Sequence, residues 1–417
     1  MAFWCGGSAV LAGQNPYFDR SIHDCQTTHG LISALTIPVP YPPYALAVFA
    51  ALATLPEPIA FALFCAALVA AAALTCVGLM RLTGLAWHVP AAACALLLLP
   101  SLETGQVALF AICAFTWALV FVRERRPVPT TAALAAMALL PNFALASWLS
   151  AIACVGRLRA PLAVAAASLA ALGWFVLGLP GWLSYIALLR SFSQAESSWF
   201  AQVGLAPLVA ATHAPPALAA AISWALFAGF VILGLWCGLR LRAAYGGDEW
   251  VIATATAFAV AGAPFLHGWD VGFALPLATM LWARSPGRIT GCALLLIATP
   301  WQQLVEHAGI ASAIALPLLI VLADETLLAR PIVSAAVASA ISLLALTLFS
   351  FANAAGESVA RSDARFTPPP IQAGALADVR YAAFARQSRR SGWQERVPTL
   401  ASLFWLVLVA FGDVRRK

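Results

Sequence analysis

Apolar residues run along this chain in long, nearly unbroken stretches, and polar residues are confined to short gaps between them. Residues 61–80, FALFCAALVAAAALTCVGLM, carry no charge and match the ~20 residues a helix needs to cross the hydrocarbon core of a bilayer. The runs do not alternate in and out residue by residue, as the strands of a transmembrane barrel would. The pattern predicts an all-α, multi-span transmembrane helical bundle of roughly 10–12 membrane helices, some of them short or broken.

The gaps set the orientation, because arginines mark the cytoplasmic ends of spans. VRERRPVP (Arg123, Arg125, Arg126), GRLRA (Arg157, Arg159), GLRLRAAYGG (Arg240, Arg242) and ARSPGR (Arg284, Arg288) are placed inside. Spans at 57–80, 85–100, 105–122, 160–179, 216–238, 249–265, 269–283, 289–304, 309–322 and 331–351 then alternate in direction. Residues 130–155 begin and end inside, so they read as a hairpin broken at Pro141, and a broken membrane helix usually lines a cavity. Residues 1–56 read as an outer loop with an interfacial or re-entrant segment, 57–352 as the bundle, 353–396 as a polar segment, and 397–417 as a marginal last span with a basic tail. The polar segment holds seven Arg against four acids, yet alternation puts it outside. Either the alternation fails after residue 309 or the segment meets anionic lipid or phosphate there.

Composition narrows the class. Hydrophobic residues make up 62% of the 417 and charged ones 10%, too few charges to solubilise a chain of this size. The net charge of +6 is explained by membrane orientation, and with no basic cluster in a soluble domain nucleic acid is excluded as a partner. Most of the nine Cys lie inside apolar runs and read as small buried hydrophobes. No Cys-x-x-Cys or Cys/His cluster points to a metal. Cys5 and Cys25 share the polar opening stretch and would pair in an oxidising compartment; otherwise they are two more free thiols. That stretch, MAFWCGGSAVLAGQNPYFDR, offers no basic start, apolar core or cleavage site that would export it. It reads as an outer loop whose preceding membrane helix is missing ahead of residue 1.

Four motifs in order resemble glycosyltransferase family 87, multi-span enzymes of the GT-C class. AFWCGGSAVLAGQNPY is similar to the family's first outer loop and PYPPYALAVFAALATLP to the segment after it. LPSLETGQVALFAICAF is similar to the Gly-Gln helix start and FLHGWDVGFALPLATML to the late His/aromatic-Asp helix. The resemblance implies transfer of a hexose, expected to be mannose, from a polyprenyl-phosphate sugar donor to a glycan or glycolipid acceptor. It also implies a bacterial inner-membrane location with a periplasmic active face, and no cofactor. The family's main catalytic Asp would lie just ahead of Met1. Two further positions depart from the family: Leu140 stands where a Lys often precedes the hairpin proline, and Val107 where an Asn often follows Gly-Gln.

Such a transfer needs a base for the acceptor hydroxyl and donors for the leaving phosphate. His267 and Asp270, at a predicted membrane boundary, are the catalytic candidates: His267 to meet the phosphate or tune a base, Asp270 to orient it or to cap the next helix. Gln106 opens a helix on the same face, where a helix N-terminus attracts phosphate; Glu103 beside it also reads as an ordinary first-turn acid. Asp19 and Asp24 read as substrate ligands or as solvated loop acids and caps. Tyr41, with Pro42 and Pro43, leads into a short surface helix at 44–55 that either guides the lipid chain or is a structural turn. Arg190, with Glu196 and Trp199 in the expected outer loop 180–200, is a bidentate phosphate grip or part of an interfacial belt. A transporter or flippase, or an inactive relative, is the alternative. The first is disfavoured because no internal repeat is visible and the ionisable residues gather at one face.

Overall fold

The computed structural model describes residues 2–30, 35–196, 202–210, 216–285, 288–299, 301, 369–371, 374–387 and 393–415. The described residues are almost entirely helical, with one isolated β-bridge between Phe18 and Leu376. In chain order the helices are α1 (Ala2–Leu11), α2 (Asp19–Thr28), α3 (Pro43–Ala53), α4 (Glu57–Thr83), α5 (His88–Thr104), α6 (Ala108–Arg123), α7 (Pro127–Met137) and α8 (Pro141–Cys154). They continue with α9 (Arg159–Glu196), α10 (Ala206–Ala210), α11 (Pro216–Tyr245), α12 (Glu249–Ala261), a 3-10 turn at Gly268–Ala274, α13 (Leu275–Arg284) and α14 (Arg288–Ala298). Val379–Gln387 and Trp393–Arg415 come last, as α15 and α16. The expected spans at 309–322 and 331–351, and His213, Trp199 and His307, lie outside the described residues.

Four stretches among the described residues are long and apolar enough to cross a membrane: Glu57–Thr83, Gly156–Ser193, Leu218–Tyr245 and Arg396–Arg415. Their faces carry exposed Phe61, Val69, Val164, Phe175 and Ile232, a pattern that suits lipid and not water. The chain is a multi-pass membrane protein. At its centre α12 is buried at every residue. Gly234 and Gly238 of α11 let that helix close on it: a Cβ at Gly238 would stand 2.7 Å from the Val251 Cα. Such small-xxx-small spacing is how helices approach where lipid removes the hydrophobic drive between them.

The broken hairpin forms as the sequence predicts. α7 stops at Met137 and α8 restarts with Pro141 in its first turn. Trp148 donates to the Leu134 carbonyl at 3.0 Å and the Ser147 hydroxyl touches the Met137 sulfur, so the two arms fold back on each other. The Ala138 carbonyl at the break accepts the Tyr44 hydroxyl at 2.8 Å, which satisfies a backbone group the break sets free.

The expected outer loop at 180–200 is instead mostly helix. α9 runs 38 residues, roughly 57 Å, far more than the ~30 Å hydrocarbon core. Gly178, with φ 63°, bends it, and Pro180 comes two residues later, so the second half turns off the span and packs against α3. Leu, Ala and Ile after the bend keep the segment helical. Tyr185 and Leu188 are buried while Leu183 and Ile186 are exposed, the two faces of a surface helix.

Charges sort to two ends. Asp248 pairs with Arg157 at 3.0 Å and with Arg242 at 3.3 Å, and Arg157 also donates to the Val122 carbonyl. These contacts gather the starts of α9 and α12 with the ends of α6 and α11. The other end collects α1–α3, the start of α6, the end of α9, the 3-10 turn and α15. There Cys5 and Cys25 form a disulfide, so the conditional pairing read from the sequence is realised and α1 is tied to α2.

Candidate functional site

The site grows from the turn after α12. Val203 donates to the Leu266 carbonyl (2.8 Å) and Leu205 to that of Ala263 (3.1 Å), so residues 202–206 run alongside 263–266. His267 is next, in extended conformation, with φ −102° and ψ 163°. Asp270 caps the 3-10 turn: its Oδ2 accepts the His267 backbone N–H at 3.1 Å and lies 3.5 Å from His267 Nδ1. The ring stacks flat on Trp269, centroids 4.6 Å apart.

Glu196, the last residue of α9, faces the other ring nitrogen, with His267 Nε2 at 3.1 Å. Gln202 Nε2 also donates to Glu196 Oε2, and the Gln202 Oε1 accepts Leu266 N–H at 2.8 Å. Tyr381 of α15 donates to Glu196 Oε1, and Arg396 of α16 donates to the Gln202 carbonyl at 2.6 Å. Glu196 is thus a buried carboxylate tying α9, the 202 strip, the His267 turn and α15 together. Burial opposes a charge on the imidazole, but the Glu196 carboxylate, with Asp270, outweighs it and pushes His267 up to about 10. The two flanking carboxylates therefore favour the protonated ring over the neutral one.

A tyrosine cluster adjoins this network. The Tyr17 hydroxyl donates to the Tyr41 carbonyl at 2.7 Å, and the Tyr41 hydroxyl is 3.5 Å from Gln106 Oε1. Burial raises the Tyr41 phenol, and the nearby Asp270 charge raises it further. The Tyr185 ring lies 5.6 Å from that of Tyr17, and its buried hydroxyl has no partner among the described residues. Leu140 and Val107 pack into the same cluster. Beside it lies a mostly apolar slot lined by Phe3, Phe49, Phe61 and Phe64, with Glu57 and Gly105.

The structure therefore brings His267, Asp270, Tyr41 and Gln106 to one end of the bundle. The other candidates have different partners. Asp19 is buried and paired with Arg380 at 3.6 Å, because the Phe18–Leu376 bridge folds the 374–387 segment over it. Asp24 lies exposed on α2 in a groove with Arg20. Arg190 is exposed on α9 and has no contact with the His267 network among the described residues. Sequence reading placed Glu196 at the outer face without linking it to His267. It passed over Gln202, Tyr381 and Arg396. Tyr381 is 185 residues from its partner, and neither periodicity nor spacing carries a pairing of that range.

Fold and site together define a multi-pass helical membrane protein with a buried, charged centre at one end of the bundle. The model of glycosyltransferase family 87 matches residues 40–266, more than half of the chain, and the chain belongs to that family. No curated protein and no solved structure matches it. The match starts one residue before Tyr41 and stops one residue before His267.

Proposed function

We propose that the protein transfers a hexose, mannose in the first instance, from a polyprenyl-phosphate donor to a glycan or glycolipid acceptor at the periplasmic face of a bacterial inner membrane. The observation that carries this reading is the convergence of Tyr41, Gln106, His267 and Asp270 at the end of the bundle away from the Arg157–Asp248–Arg242 cluster, in a chain of a glycosyltransferase family. The Cys5–Cys25 disulfide at that end supports a non-cytoplasmic face, since disulfides persist in oxidising compartments.

In this reading the acceptor oxygen bonds to the anomeric carbon as the bond from that carbon to phosphate breaks. The hydroxyl proton passes to a carboxylate at the outer face, and the leaving polyprenyl phosphate takes the electron pair. The His267 imidazolium, fixed by Asp270 and Glu196, supplies positive charge beside the developing phosphate dianion, and Gln106 adds amide donors. The apolar slot at Gly105 suits the first isoprene units of the donor.

Membranes containing the protein, supplied with radiolabelled polyprenyl-phosphate mannose, are expected to form labelled glycan. If neither this donor nor any other polyprenyl-phosphate hexose gives labelled product, the reading is overturned. If His267→Gln and Asp270→Asn membranes form product as fast as the wild type, the assignment of the site is overturned.

A further inference from the structure

We propose that the groove between α1 and α2 is an acceptor subsite that holds a neutral oligosaccharide by a sugar remote from its reacting end; this rests on the glycosyltransferase reading above. The groove encloses about 520 Å³, within the ~300–1,000 Å³ range of small-molecule sites. Phe18, Arg20, Asp24, Gln14 and Ser21 line it, and the disulfide cysteines form part of its wall.

The lining fits a sugar. Phe18 is half-buried and offers an apolar ring to the C–H face of a pyranose. Arg20 and Asp24 stand four residues apart on α2, so both head groups project from one face. Neither has a charged partner among the described residues. One donates and the other accepts, Gln14 and Ser21 do both, and the two charges cancel. That inventory matches vicinal hydroxyls and leaves no excess charge for an anion.

The groove is rigidly held. The disulfide fixes α2 to α1. Gln26 exchanges two hydrogen bonds with Ile37, at 2.8 and 2.9 Å, and His23 contacts the Thr36 hydroxyl at 2.9 Å. Pre-ordering of this kind lowers the entropic cost of binding.

The same chain segment connects the groove to the charged centre. Gly374 lines the groove and Tyr381 donates to Glu196. Seven residues separate them, so the two places are at most roughly 25 Å apart. On the other side Phe18 lines the groove while Tyr17 bonds the Tyr41 carbonyl. The groove therefore lies at the same end of the bundle as the charged centre, within the reach of a glycan several sugars long.

The test uses the full chain in detergent micelles and α-linked mannotetraose as probe, with Kd measured by calorimetry. Phe18→Ala, Arg20→Ala and Asp24→Ala are each expected to weaken binding about tenfold, the effect of losing one good contact. Ser21→Trp fills the groove while leaving both cysteines in place and is expected to abolish binding. Equal Kd for wild type and Ser21→Trp, or no binding to the wild type, overturns the subsite. Transfer from radiolabelled polyprenyl-phosphate mannose to hexyl mannoside by the wild type is measured in parallel. Label transferred while groove variants bind normally overturns the subsite and spares the function. Groove-dependent binding without transfer from any polyprenyl-phosphate hexose overturns the function and leaves a glycan-binding groove.

Discussion

The paired charges at the two ends of the bundle sit in different surroundings. At the arginine end Asp248 meets Arg157 and Arg242 with side chains 22%, 35% and 36% exposed. At the other end Glu196 and Asp270 are 2% and 8% exposed around a His267 ring that is 21% exposed. Half-exposed pairs are cheap to form and worth little. Sealed charges cost several kcal/mol each to desolvate and persist only with well-placed partners. The pairs around Asp248 thus hold neighbouring helix ends together at little cost. The sealed end keeps a costly network, and perturbed titratable groups in such places mark functional centres.

The sharpest way to break this contrast is to remove the buried carboxylate. Glu196→Ala leaves the His267 cation, Gln202 and Tyr381 without their shared acceptor and is expected to cost about 3–5 kcal/mol, read by denaturant unfolding in detergent. A loss as small as that at a half-exposed pair would erase the distinction between the ends.

His267→Gln keeps a donor of similar size but removes the charge. Transfer from the lipid donor is expected to fall about 100-fold or more, measured as initial rates at saturating donor. Folding also favours the charged ring, whose pKa is raised to about 10. Its stabilising effect is complete below about pH 6.5, the unfolded value, and is lost as pH rises through about 10. The wild type should lose more Tm between pH 6.5 and 10 than His267→Gln does; parallel curves would show that the ring is neutral.

Cys5→Ser opens a covalent loop with a sequence separation of 20 residues. It is expected to cost about 3 kcal/mol, and dithiothreitol should lower the Tm of the wild type but not that of the variant. Equal sensitivity would mean that Cys5 and Cys25 are not oxidised in the native protein. The smallest effect is expected from Asp248→Asn at the arginine end, under about 1 kcal/mol, by the same unfolding measurement. A larger cost would show that this end is also a sealed network.

Much of the fold is written in the chain pattern alone. Long apolar runs leave only helices as membrane elements, since every backbone group must bond within its own segment. Pro141 breaks the hairpin where it stands because it lacks an N–H and clashes with the turn before it. The sequence singled out His267 and Asp270 because charged groups are rare inside such runs, and Gln106 because it precedes a helix start.

Tertiary structure alone decided the pairing. The bend at Gly178 turns the second half of α9 along the surface and delivers Glu196 to His267. The Phe18–Leu376 bridge buries Asp19 against Arg380 and leaves Asp24 facing out from the same helix. Local sequence fixes backbone hydrogen bonding within a helix, because those partners are four residues apart. It does not fix which of two neighbouring carboxylates is desolvated, because that depends on what a segment hundreds of residues away covers.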